Sequence, residues 1–541
     1  MYNQLRIKFT LYLLLLFAVV DIVYAQQNVP LNREWSLNVE KQNSKVSDSA
    51  VALSSIKPFI VPIQKTVKDQ SRSYFVRKLS RENLLIVDDS STRFYLTLDP
   101  LFNFEGGRDV ADSSQEKLVK NTRGLLLRGA VGSKFYFESS FYENQATYAQ
   151  YIDNYIAGTG LLYPGTEIVP GQGRAKPFRT NGYDFAMASG IISYSPNNHF
   201  NFQAGHGKHF IGDGYRSLLL SDNSHNYPYA RITSTYKNIQ YTNLYTVFTN
   251  LTDGGAKTPA YIERLFQKKV GNYQLLSLNL LKRFQLGFFQ GMIWQPADTT
   301  NSQYVNFNTF NPLIFTNSIV YGLRNKNNVI LGATLKIKIT NSISVFGQYV
   351  IDDISRSADG NKVHHKQGYQ VGVKYFDVFT IKNLLIQAEY NSVSPYTYSA
   401  NNAQYSYTHF NQALAHPLGA NFNEVVAFLN YRIKNFWLQY KVNYIVKGYD
   451  NGLFNYGGNV FKSDKAFDPQ QNLTSTSIAQ GNKTTILYND LQFGYLVNPA
   501  SNFNIVFGVT DRVISPNVFE QNSQVVYFAI RTSLANFYYD F

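Results

Sequence analysis

The run Gly205–Gly214, GHGKHFIGDG, gathers the densest set of titratable side chains in the sequence, His206, His209 and Asp213. Two imidazoles and a carboxylate are residue types that can share a metal ion or move a proton. On a strand, however, positions three apart face opposite sides, so a shared ligand would need a loop there. His364-His365 opens a strand after a polar loop and reads as a solvated pair. Asp352-Asp353 is a lone acidic pair at a strand end, and it reads as surface more than as a calcium site. No H-E-x-x-H, G-x-S-x-G or G-x-x-x-x-G-K-[ST] pattern occurs. There is also no cysteine, which excludes a disulfide framework, a zinc thiolate site and a lipidated N-terminal Cys. The expectation is a protein without catalytic residues, resident metal or cofactor.

What positions these residues is legible from composition and period. The 541 residues are 44% hydrophobic, 16% charged and 16% aromatic, with 41 Tyr and 40 Phe. So many rings exclude a disordered chain, yet mean hydropathy is only -0.24 because Asn, Gln, Ser, Thr and Lys dilute them. Alternating, half-apolar strands produce that mixture.

Residues 1–25 read as a secretory signal, with Arg6 and Lys8 before the apolar LYLLLLFAVV of 11–20. Val23 and Ala25 are the small residues expected before cleavage after Ala25. The apolar run is shorter than the about 20 residues of a membrane helix, and Asp21 interrupts its end. Residues 26–92 are polar and aperiodic apart from the stretch 56–67 with Pro58 and Pro62, and read as an N-terminal periplasmic extension or plug. Within them Asp48-Ser49-Ala50 resembles a Bacteroidetes-type O-glycosylation acceptor.

From 93 to 541 the period is two. In 328–340, Val329, Leu331, Ala333, Leu335, Ile337 and Ile339 share one face, against Thr334, Lys336 and Lys338 on the other. Phe436–Lys447 and Phe503–Val509 repeat the pattern. Tight connections (Gly132-Ser133, Pro196–Asn198, Lys237-Asn238, Lys282-Arg283, Asn341-Ser342, Lys434-Asn435, Asn498–Ser501) alternate with long polar ones. The long ones fall near 105–118, 143–182, 211–226, 251–267, 296–327, 353–363, 393–421, 449–483 and 513–524. A soluble sandwich has no reason for that alternation, whereas outer-membrane barrels have short periplasmic turns and long outer loops. The predicted fold is all-β, a transmembrane antiparallel β-barrel of about 18 strands in the bacterial outer membrane. Phe537, Tyr539 and Phe541 alternate with polar residues and resemble the terminal aromatic strand read by the barrel-assembly machinery. That register puts Arg531 on the Phe541 face near the outer interface. Rings then face lipid and mark its interfaces.

A net charge of +14 on an exported barrel points away from nucleic acid. It suits outer-membrane lipid and an anionic surface polysaccharide or lipopolysaccharide, or a mixed-charge lumen. The Tyr- and Asn-rich stretches Tyr142–Tyr155 and Tyr396–Phe410 offer rings and amides to sugars.

The segment Gly205–Pro228, GHGKHFIGDGYRSLLLSDNSHNYP, resembles the core signature of the capsule-assembly Wzi family. The positions carrying it are Gly212, Gly214, Ser217, Leu218, Leu220, Ser221, Asn223 and Pro228, with Tyr215 and Arg216 inside the run. HPLGANFNEVVAFLNY, with His416, Gly419, Asn421, Phe422 and Glu424, is similar to Bacteroidetes gliding-motility proteins of the RemB type. The resemblance implies an 18-stranded barrel with a small periplasmic N-terminal part. It also implies a non-enzymatic role in surface polysaccharide attachment, adhesion or gliding, with gliding or secretion machinery as a partner. The family motif carries no catalytic residues; its residues contact glycan or pack a strand–loop–strand unit in the barrel mouth. The competing classes are a diffusion channel and an outer-membrane enzyme using His206, His209 and Asp213.

Overall fold

The computed structural model describes residues 26–44, 54–63, 65, 73–112, 117–159, 166–251, 266–294, 310–321, 327–356, 363–451, 454–464, 477–516, 522–532 and 535–541. The signal segment and Asp48-Ser49-Ala50 lie outside them.

Antiparallel strands close into an 18-stranded barrel. The first six are β1 (Phe94–Asp109), β2 (Lys117–Val131), β3 (Phe135–Thr147), β4 (Gly182–Tyr194), β5 (Phe200–Gly207) and β6 (Tyr227–Tyr236). Next come β7 (Ile239–Asn250), β8 (Gln267–Leu281), β9 (Phe284–Trp294), β10 (Asn328–Lys338), β11 (Ile343–Arg356) and β12 (Val363–Phe376). The last are β13 (Leu384–Val393), β14 (Phe422–Ile433), β15 (Phe436–Tyr449), β16 (Asn482–Asn498), β17 (Phe503–Ser515) and β18 (Ser523–Arg531). Every long connection expected from the sequence is present between successive strands, and so is every tight one. One further short connection, 377–383 between β12 and β13, has no Gly or Pro to mark it. Asp377 and Asn383 turn the chain there with positive φ, and the Asp377 carboxylate caps Asn383 N.

The alternation reads out as expected. Phe507 is 50% exposed on the outer wall, while its neighbours Asn504, Thr510 and Arg512 are buried inside. An apolar outer wall around a polar interior is the exterior of a barrel solvated by lipid. A patch on β8 and β9 departs from it. Asn272, Gln274 and Gln290 sit on the outer face of β8 and β9, where Asn311 O accepts from Asn272 and Gln274. Ser318 donates to Gln290, so the segment 310–321 covers these amides from outside. It turns Leu313 and Ile319 outward, 65% and 80% exposed. Polar groups at membrane depth need such partners.

Much of the interior is filled, and the N-terminal residues contribute. Helix α1 (Arg33–Gln42), capped by the Asn32 side chain, ties to the short-turn end through Lys41–Asp377 (2.7 Å) and Lys338 to Asn43 O (2.6 Å). Ile56 and Lys57 pair with Ile211 and Phe210 of the β5–β6 loop. Helix α2 (Tyr74–Ser80) leads to the strand Leu85–Asp89, which pairs with the first half of β1.

The terminal aromatic strand requires a correction. β18 stops at Arg531, and it closes the barrel by pairing Val525–Arg531 with Asn103–Asp109 of β1. Residues 535–541 carry no strand and enter the lumen. Asn536 bonds to Leu31 O and Arg33 N, Tyr538 to Asp222, and Phe541 packs on Tyr155 of helix α3 (Gln150–Thr159). The aromatic alternation is real, but the rings meet loop side chains because lumen partners outcompete a place in the wall. Arg531 therefore sits at the short-turn end facing inward, donating to Gln492 at 2.9 Å, and not at an outer interface.

Candidate functional site

The β5–β6 loop, residues 208–226, folds into the lumen. Gly212 adopts φ +148 where its N–H reaches Ser55 O, and a Cβ there would stand 2.3 Å from Gln348 Nε2. Only glycine fits that approach. Gln348 then holds the loop from β11, accepting from Leu218 N (2.8 Å) and donating to Ile211 O (2.8 Å). Ser217 donates to Ile211 O and accepts from Leu219 N and Leu220 N, which makes the local turn. Leu218, Leu219 and Leu220 are fully buried among Tyr398, Tyr407 and Phe289. The Tyr398 and Tyr407 hydroxyls donate to Leu218 O and Leu219 O. Ser221 N reaches Leu414 O, and Asn223 donates to Ala413 O.

Between the leucines and the glycines sits the charge. Glu389 of β13 accepts from Tyr215 N (2.7 Å) and Arg216 N (3.0 Å). A Cβ on Gly214 would lie 2.6 Å from that carboxylate. The Arg216 guanidinium grips Glu424 of β14 with Nε (3.1 Å) and Nη2 (2.9 Å) and reaches Asp540 Oδ1 at 3.1 Å. Asn391, Asn443 and His416 Nε2 complete the Glu424 carboxylate at 2.9, 2.9 and 2.7 Å. Tyr215 Oη and Lys441 each donate to Asp540 Oδ2 at 3.0 Å. Burial opposes the Arg216 charge, but Asp540 and Glu424 hold its pKa well above the ordinary value. Burial likewise works against Asp540, and Arg216 and Lys441 nonetheless keep its carboxyl low.

The two sequence stretches singled out above thus meet in one network. Gly419 (φ +72) and Asn421 (φ +61) turn the chain into β14, and Asn421 accepts from Ala479 N while donating to Gly448 O. Phe422 is buried against the His416 ring at 4.3 Å. Pro228 lies in β6, opposite His206. Phe537 packs with Leu101, Tyr142 and Met187, and Tyr539 accepts from Gln172.

His206, His209 and Asp213 are not brought together. His206 Nδ1 meets Ala188 O, His209 Nδ1 meets Tyr227 Oη, and Asp213 takes Ser55 and Lys336. Among the described residues no group of three acidic, His or Cys side chains is placed to hold a metal. Asp352 is buried, contrary to the surface reading, because it accepts from Tyr398 N and fixes the β13–β14 loop. His365 is exposed, as the solvated reading of that pair expects. The rings of Tyr142–Tyr155 and Tyr396–Phe410 also turn inward: Tyr148, Tyr151, Tyr396, Tyr398 and Tyr407 are buried, so they fill the lumen instead of meeting a sugar outside. Glu389, Gln348, Lys441 and Asp540 were missed by sequence reasoning. A signal existed in Glu389 and Glu424, carboxylates on otherwise alternating strands, which need an inward cationic partner.

The class defined is therefore a transmembrane-type β-barrel whose long-loop half is packed by its own inward loops. No family model matches the chain, and no curated protein matches it. Among solved structures it is similar to Wzi of Escherichia coli, described as an outer-membrane protein of group 1 capsule assembly and a carbohydrate-binding β-barrel. That likeness has 11% identity over 80% of this chain and 85% of that one, with a TM-score of 0.47. It is also similar to OprD of Pseudomonas aeruginosa, at 9% identity, 80% and 94% coverage and a TM-score of 0.39. A BenF-like porin of Pseudomonas fluorescens gives 9%, 81% and 99%, and 0.42. Likenesses this distant do not bear on function, and the fold stands on the strand pairing of this chain.

Two outcomes follow from the network. Glu424→Leu takes one of two carboxylates from Arg216 and the only one from His416 and costs about 3–5 kcal/mol, whereas Arg216→Met with Glu424→Leu costs less than the single change. Urea unfolding of refolded barrel measures both. His209, His225, His409 and His416 lie in the inward loops, and burial holds each below its ordinary value of 6.5, His225 at about 3. Their unfolded forms take up protons first, so the stability they confer is complete above about pH 6.5 and declines as pH falls below it. Limited proteolysis of residues 208–226 and 394–421 should accelerate between pH 7.5 and 5.

Proposed function

We propose that this chain is a non-enzymatic outer-membrane barrel of the Wzi kind, in its RemB-like branch, that acts in surface polysaccharide (capsule) attachment, adhesion or gliding. In this reading residues 1–25 are an export signal cleaved after Ala25, and residues 26–92 are a periplasmic extension or plug of a barrel formed by 93–541. The observation that carries the reading is the locking of both motif stretches inside the lumen through Arg216, Glu424 and Asp540. Loops held across the bore by buried ion pairs narrow the path a diffusion channel needs, and they supply the rigid base a binding protein uses under its outer surface. The motif residues Gly212–Asn223 are assigned to that base, since they are buried and their partners are protein groups.

The separate partners of His206, His209 and Asp213 favour binding over catalysis, because a reacting group would need at least two of them within reach of one atom. The experiment is a gene deletion scored for capsule retention, adhesion and spreading, beside a glycan array probed with refolded full-length barrel. Loss in at least one of the three, together with binding of at least one surface glycan, is expected. Normal behaviour in all three with an empty array contradicts the reading.

A further inference from the structure

Beneath the Arg216 network lies a cavity of about 480 Å³ that runs from the short connections to α3 and the long-loop ends of β2 and β3. Its lining includes Asp377, Asn383 and Asn502 of short connections, so it reaches the mouth that the barrel turns to the periplasm in this reading. Along one side runs α1, and the wall beyond it is built from β15–β18 and β1–β3, with α3 at its far end.

That wall carries two rings set on glycines. Trp437 of β15 is paired with Gly494 of β16, and Tyr527 of β18 with Gly508 of β17. A Cβ on Gly494 would stand 2.2–2.6 Å from Trp437 ring atoms, and one on Gly508 would stand 2.2–2.5 Å from the Tyr527 ring. Each ring therefore lies over the backbone of the neighbouring strand, and both rings line the cavity. Trp437 Nε1 donates to Asn504 Oδ1 at 2.9 Å, which fixes the indole in its plane. Beside them Asn103 of β1 is only 8% exposed and lines the same space. Its Oδ1 accepts no hydrogen bond among the described residues. A buried acceptor without a donor is costly; the oxygen is covered as the side chain stands, so a ligand hydroxyl removes the cost once the Asn103 amide turns toward the cavity.

The charge around this space is largely neutralised. Lys41–Asp377 (2.7 Å), Lys120–Glu105 (2.7 Å), Arg432–Glu34 (3.2 Å) and Lys441–Asp540 (3.0 Å) are ion pairs. Arg33 lies over the Phe428 ring at 3.9 Å and is spent on Asn430 and Gln387, while Arg531 donates to Gln492. A polyanion would find few unengaged cations here. What the site offers is flat rings, amides and an orphan acceptor, at a volume usual for small ligands. Pyranose rings present an apolar C–H face and a hydroxyl edge, and that matches. We propose that this cavity binds a short uncharged saccharide, stacked on Trp437 and Tyr527 and donating a hydroxyl to Asn103. The proposal rests on the glycan-binding reading and adds a second, inner site of stated chemistry to it. It also replaces an anionic ligand by a neutral one at this position.

The chain has three Trp, so Trp35→Phe with Trp294→Phe leaves Trp437 as the sole indole reporter. Refolded full-length protein of this background is titrated with maltotetraose, cellotetraose and chitotetraose, and with a heparin tetrasaccharide as polyanion. Heat-modifiable gel mobility establishes folding of every variant. A saturable change in Trp437 emission is expected with at least one neutral sugar and none with heparin. Asn103→Ala and Tyr527→Ala should each weaken binding about tenfold. No response to all three neutral sugars, stronger binding of heparin, or unchanged affinity in both variants overturns the proposal. If full-length protein still binds array glycans while both variants bind them as the parent does, the inner site fails and the surface-glycan reading stands.

Discussion

Arg216 brings a guanidinium with no solvent exposure into a barrel whose outer wall faces lipid. Removing such a charge from water costs several kcal/mol, and only close, well-oriented partners repay it. Glu424 supplies a two-pronged acceptor from the wall, and Asp540 supplies a second carboxylate from residues that have left the wall. Glu389 meanwhile takes the two backbone N–H groups on either side of the Tyr215–Arg216 bond. Four separate parts of the chain (the β5–β6 loop, β13, β14 and residues 535–541) are therefore tied at one point. If that point loosened, the leucines behind it would lose their shelter under Tyr398 and Tyr407.

The rest of the interior follows from this constraint. With the β5–β6 loop pinned, Phe210 and Ile211 present an edge on which Lys57 and Ile56 add a strand, and Ser55 can reach Asp213. That fixes the path of the N-terminal residues up the lumen and leaves α1 near the short-turn mouth, joined to Asp377 and Arg432. Glu40 of α1 is buried, which would raise its pKa, yet Lys374 and Lys57 hold it low. Most charges around the remaining space are thus paired with carboxylates, while Arg33 and Arg531 are held by Asn and Gln side chains. A binding protein with a rigid base and an inner pocket is the reading these couplings favour.

Much of the fold was legible because lipid imposes it. Alternation in 328–340, 436–447 and 503–509, with loops long and short in turn, sufficed for strand number and direction. The turn 377–383 escaped notice because its Asp–Asn chemistry carries no Gly or Pro. The site was legible only in part. Gly212, Ser217 and Asn223 announce a constrained loop, but nothing local says that Arg216 will meet a glutamate 208 residues later. Phe537, Tyr539 and Phe541 misled for the same reason: their alternation is equally suited to a wall strand and to a lumen segment, and only the long-range partners Asp222, Arg216 and Gln172 decide between them. Asp352 was misread likewise, since it lies in β11 and its buried partner Tyr398 comes from the β13–β14 loop.

The central claim is that buried ion pairs hold the inward loops across the bore. Conductance of single refolded barrels in a planar bilayer tests it most directly. The account predicts no stable open state for the natural chain and frequent openings once Arg216→Ala releases the loops. A steady, porin-sized open state in the natural chain would contradict it.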